Sequence, residues 1–124
     1  MKHFDKSEYL EQDEFLNTLK EYEEARKNGR DIYLDVDVLA NISNYYETHD
    51  NSLAAIDTIE YAIRLFPGDV YPLVFRARMA ILIEDDIEKA KKYLKSVIDK
   101  HDIEYYYAIA EVKIAEGHPE LASK

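Results

Sequence analysis

Apolar residues recur along this chain at spacings of three and four, with charged residues on the remaining faces and short polar turns between segments. That rhythm predicts a succession of amphipathic helices. The first spans residues 7–28, where Leu10, Phe15, Leu16, Leu19, Tyr22 and Ala25 share a stripe. Ser7 or Asp5 can cap its start, Asn28-Gly29 can end it, and Arg26 and Lys27 complement the helix dipole. Residues 32–38 alternate apolar and polar like a strand, yet they run without a break into Leu39-Ala40-Asn41-Ile42. The reading taken is an extended lead-in to a helix capped by Asp35.

Beyond this point helical segments alternate with turns at residues 48–52, 66–69, 84–86, 100–102 and 117–118. Each turn carries a candidate cap for the next helix: Asp50 or Ser52, then Asp69, Asp86 and Asp102, with Pro119 in the first turn of a last helix. Only 3 Gly and 3 Pro leave little punctuation for a many-stranded fold, so an all-α chain is expected. The expected core is Leu39, Ile42, Tyr46, Ile59, Ala62, Ala77, Ala90 and Leu94, with Tyr106 inward as well.

The segments repeat. In residues 36–69, Leu39, Ile42, Ser43 and Tyr46 form one series, and Ala55, Ile59, Ala62 and Pro67 a second. This order of large, large, small, aromatic, then small, large, small, proline resembles the tetratricopeptide repeat family, whose unit is a helix hairpin of about 34 residues. Residues 70–102 repeat the pattern with Leu73, Ala77, Ala90, Leu94 and Val97. One extra residue between Ala77 and Ala90 suggests a bulged or lengthened first helix. A partial third unit covers 103–124, with Tyr106, Ile109 and Ala110 in register. Residues 1–35 match no unit and read as an N-terminal capping helix with its extended lead-in.

The resemblance implies a right-handed helical-hairpin solenoid whose concave face is lined by the first helix of each unit. On that basis the expected partner-binding residues are Asn41, Asn44, Tyr71, Val74, Phe75, Arg78, Tyr107 and Glu111, with Asp37, Ala40 and Glu104 on the same face. Small Ser43, Ala55 and Ala62 would let paired helices approach closely. Some members of the family clamp a chaperone's C-terminal carboxylate with Lys, Asn and Arg. Of those slots this sequence keeps only Asn44, while Ala40, Phe75, Glu104 and Ala108 fill the others, so that use is not expected.

Charge narrows the partners. The formal net charge is −10, and residues 36–69 hold six acidic residues against Arg64 alone. A field of that sign disfavours nucleic acid and anionic membrane surfaces, and the repeat resemblance implies a protein or peptide partner. No apolar leader or membrane-spanning run is present in the 124 residues, and a cytoplasmic location is the default expectation. The absence of Cys removes thiolate chemistry. His3, His49, His101 and His118 lack metal-ligand spacing, Gly29, Gly68 and Gly117 stand singly, and no nucleophile motif occurs. No cofactor, no metal and no enzymatic activity are expected. The apolar residues of the last segment, Tyr106, Ile109, Ala110 and Ile114, suggest either continuation into further repeats or a homodimer surface.

Overall fold

A computed structural model describes residues 6–117, with side chains from residue 12. Six helices account for the regular structure among the described residues: α1 (Lys6–Lys27), α2 (Val36–Thr48), α3 (Ser52–Leu65), α4 (Val70–Leu82), α5 (Ile87–Lys95) and α6 (Ile103–Gly117). There is no strand among them, and residues 30–35 form the extended lead-in. No described helix is long and apolar enough to cross a membrane. The chain divides into two compact units, Met1–Leu34 and Asp35–Lys124.

The first unit is α1 and its exit. Among its described side chains, Leu19, Tyr22 and Ala25 are buried. Arg30 N–H donates to Ala25 O at 2.8 Å and Gly29 N–H to Arg26 O at 3.2 Å, while Gly29 holds φ +69°. These two bonds satisfy carbonyls that the ending helix leaves open, in the left-handed arrangement that Asn28-Gly29 implied. The alternative caps diverge at the other end: α1 starts at Lys6, which puts Ser7 inside it, and Asp5 lies outside the described residues. Pro119 is outside them too.

In the second unit α2 packs on α3, α3 on α4, and α4 on α5, while α6 packs on both α4 and α5. The three-residue link between α2 and α3 forces α3 to fold back along α2. Ser43 Oγ, buried on α2, donates to Ala55 O at 2.9 Å, and Leu39, Ile42, Ile59 and Ala62 fill the core around this contact. Helix α4 is the central element. Eight of its thirteen residues are buried, and Leu73, Val74, Ala77 and Ala80 meet Ala90, Leu94, Ala108 and Val112. Tyr46 is half-buried against Ala55 and Ile59.

Local chemistry sets the helix ends, with two departures from expectation. Asp69, Asp86 and Asp102 accept N–H bonds from Tyr71, Lys89 and Glu104 respectively. The cap of α3 is Asn51, which accepts from Ala54 N–H at 3.1 Å, and neither Asp50 nor Ser52 takes that role. Asp50 instead holds φ +58° in the exit turn of α2, where Asn51 N–H reaches back to Tyr46 O. Asp35 stands at the N-cap of α2 without a side-chain cap bond.

Helix α4 is not lengthened. It has the same thirteen residues as α2, and the extra residue is taken up in its exit turn. There Glu84 N–H reaches five residues back to Met79 O, Asp86 N–H reaches Ala80 O, and Asp85 holds φ +53°. Helix α5 stops at Lys95, well short of the expected turn at 100–102. The chain then crosses the α3–α4 turn, where Ile98 N–H donates to Gly68 O at 3.0 Å.

Candidate functional site

Two clefts adjoin on the face that α2, α4 and α6 share. The larger has a volume of about 360 Å³ and lies between α2 and α4, with Ile59 of α3 in its wall. Helix α2 contributes Ala40 together with Asn41, Asn44 and Glu47, the last three about one helical turn apart along a stripe. Helix α4 and its C-cap contribute Phe75, Arg78, Met79, Leu82 and Ile83. The smaller, about 240 Å³, lies between α4 and α6, where Ile81 and Leu82 face Ile114, Ala115 and Glu111. Arg78 and Leu82 belong to both clefts, so α4 forms the ridge between them.

The ridge is apolar and wet. Leu82 is 81% exposed, Phe75 37% and Ile83 39%, an arrangement with a cost in water that a covering partner would remove. Arg78 is held by α6: its Nε donates to Glu111 Oε1 at 2.8 Å, and Nη2 lies 3.7 Å from Glu104 Oε1. Glu47 adds a third carboxylate on the α2 side. Among the described residues the polar rim is thus Asn41, Asn44, Glu47, Glu111 and Arg78, and the guanidinium already serves Glu111 and Glu104.

The predicted partner-binding residues are divided by this geometry. Asn41, Asn44, Phe75 and Arg78 come together in the larger cleft, and Glu111 lines the smaller. Tyr71 and Tyr107 are exposed but line neither of these two clefts. Val74 must be corrected. It is 2% exposed and packs in the core around α4, because that helix is covered on most of its circumference and leaves only a narrow strip to solvent. Tyr106, expected inward, is 55% exposed, and Ala108 and Val112 are the buried residues of α6. Met79, Leu82 and Ile83 were missed, although Leu82 follows Phe75 and Arg78 at helical spacing, a signal present in the sequence.

A second polar cluster lies in the wall of the fold. Arg76, 2% exposed, donates through Nε to Glu60 Oε2 at 2.8 Å and through Nη1 to Glu84 Oε1 at 2.6 Å. Lys89 Nζ donates to the other Glu84 oxygen at 2.9 Å, and the Tyr93 hydroxyl donates to Glu60 at 2.5 Å. The hydrogen bond from Arg76 holds the Glu84 carboxyl down to about 2. Burial, followed by the bond to Glu60, pushes the Tyr93 phenol up to about 12. Every member of the cluster has its charge or hydrogen bond answered, which marks it as a structural tie between α3, α4 and α5.

No known protein family, curated protein or solved structure matches the chain. The candidate site therefore rests on its own geometry.

Proposed function

We propose that this chain is a non-enzymatic protein-interaction module, built of tetratricopeptide-like helix hairpins, which holds a segment of a partner protein on the face lined by α2, α4 and α6. The observation that carries this reading is the pair of adjoining apolar clefts with Leu82 exposed on the ridge between them. Exposed apolar surface gathered into a concavity with a polar rim is what a partner's anchors require. In this reading Phe75 and Leu82 supply apolar contact, and Asn41 and Asn44 supply hydrogen bonds along the α2 edge.

The repeat resemblance is supported by features of the turns and the packing. The two first helices are equally long, and each exits through an aspartate with positive φ, Asp50 and Asp85. The small residues named in the repeat, Ser43, Ala55, Ala62, Ala77 and Ala90, are all buried where helices meet. The charge of the chain favours a protein partner over nucleic acid or an anionic bilayer, and a cytoplasmic setting fits that partner class.

The test is capture of partners by the wild-type chain and by a Phe75→Ala, Leu82→Asp variant, each checked for folding by circular dichroism. A partner held by the first and lost by the second is the expected result. Equal capture by both would remove the clefts from the interaction.

A second reading is favoured by α6. Ile103, Tyr106, Tyr107 and Ile114 are each more than half exposed, and Ile103, Tyr107, Ala110 and Ile114 follow the spacing of one helical stripe. Two copies of the chain could bury this stripe against each other. Sedimentation over a range of concentrations separates the readings, since a mass that stays monomeric ends the second.

A further inference from the structure

We infer that the occupant of the two clefts is a basic amphipathic helix, a proposal that rests on the docking reading above and adds the chemistry of the partner. Three observations lead there.

The first is the backbone of the site. Both clefts are walled by helices, whose N–H and C=O groups are bonded along their own axes, and no strand edge exists among the described residues. An extended segment lying there would find no backbone ladder to complete, whereas a helical segment brings its own hydrogen bonds satisfied.

The second is spacing. The clefts lie on either side of α4, so a segment crossing that ridge must place one apolar anchor beyond each flank. Packed helices sit about 8–10 Å apart. Residues i and i+7 on one face of a helix are about 10.5 Å apart. A helix with large apolar residues at i and i+7 therefore reaches the Phe75–Met79 side and the Ile81–Ile114 side together, with Leu82 packed between them.

The third is charge. Glu47 lines the larger cleft and Glu111 the smaller, Glu104 lies 3.7 Å from Arg78, and Arg78 is the single cation among the described lining residues; α2 contains no basic residue. Lysines or arginines flanking the apolar anchors would meet these carboxylates, and the net charge of −10 would attract such a segment from a distance. An acidic segment would meet repulsion at the rim.

The proposal is tested with two synthetic helices of about 16 residues, a length of four turns or so, identical in their leucines at i and i+7 and differing only in lysine or glutamate on the outer face. Fluorescence anisotropy is read for the wild-type chain, Leu82→Asp and Glu47→Gln. Leu82 and Glu47 are both exposed residues, so both substitutions leave the core intact. The expected result is saturable binding of the lysine helix, at least about tenfold tighter than the glutamate helix and weakened several-fold by added salt. Leu82→Asp should lose about tenfold although it adds a negative charge, and Glu47→Gln a smaller factor.

If the glutamate helix binds as tightly and Leu82→Asp still weakens it, the charge inference falls while docking in the clefts stands. If Leu82→Asp binds the lysine helix as well or better, the attraction is diffuse and the inference is overturned. Saturable binding of neither helix overturns the inference and the peptide-docking reading together. A dimer of the chain that Leu82→Asp dissociates would assign the clefts to a second copy instead.

Discussion

Arg76 Nε lies 2.8 Å from Glu60 Oε2, and the same carboxylate oxygen accepts the Tyr93 hydroxyl, so one glutamate of α3 is joined to both α4 and α5. The guanidinium also sits 4.9 Å from the Tyr93 ring centroid, which adds a cation–π contact to the tie. Arg76→Ala should therefore lose about 3 kcal/mol of stability, through lost packing and the loss of two charge-assisted bonds. Arg76→Met, which keeps most of the stem volume, should lose less. Urea unfolding of both variants checks this, and equal stability of wild type and Arg76→Ala would contradict the assignment.

The same cluster sets a dependence on pH. Glu84 is depressed from 4.5 to about 2 in the folded chain by its bond from Arg76, so its contribution is present above pH 4.5 and is lost as pH falls toward 2. Tyr93 is raised from 10 to about 12, first by burial and then by its bond to Glu60. Its contribution is present below pH 10 and is lost as pH rises toward 12. The stability difference between wild type and Glu84→Gln should accordingly shrink from pH 5 to pH 2. A difference that stays constant over that range would exclude the depressed carboxyl.

Gly68 holds φ +83°, and a Cβ there would overlap Cγ1 and Cδ1 of Ile98. Gly68→Ala should cost about 1–3 kcal/mol. Ile98 is itself exposed, so Ile98→Ala should be nearly silent alone. In the double variant the steric part of the cost should vanish and the backbone part remain. A double-mutant cycle of melting temperatures reads that coupling, and strict additivity would show that the two residues do not meet.

Arg78 differs from Arg76 in exposure. Its pairs with Glu104 and Glu111 are open to water, where ion pairs contribute about 0–1 kcal/mol. Arg78→Ala should leave thermal unfolding almost unchanged, because Ala108 and Val112 keep α6 on α4 without it. A large loss of stability would mean that α6 is held by charge instead of packing.

Most of the helices were legible in the sequence because their causes are local. Apolar spacing within each segment, the carboxylates of Asp69, Asp86 and Asp102, and Gly29 at the end of α1 act within a few residues of chain, and the structure uses each as expected. Where two local options competed, as among Asp50, Asn51 and Ser52, the pattern could not choose. Backbone geometry chose, by giving Asp50 the left-handed position and leaving Asn51 to cap.

The clefts were legible only in part. Phe75, Arg78, Asn41 and Asn44, expected on the concave face from the repeat resemblance, come together in the larger cleft. Val74, placed on the concave face by the same resemblance, is buried because burial depends on how many neighbours cover the helix. Arg76 was passed over for the same reason, since a charged residue in a helix reads as solvated until Glu60, Glu84 and Tyr93 are brought around it.

What this sequence determined by itself is its acidic charge, which is a matter of composition, and the all-helical character of the described chain with the approximate limits of its elements, which follow from short-range interactions. The tertiary structure alone decided that α4 is enclosed, that Tyr106 faces outward, that Arg78 is shared between Glu104 and Glu111, and that two clefts meet at Leu82. Those outcomes depend on contacts between residues far apart along the chain, where the burial of one helix face is set by the packing of another.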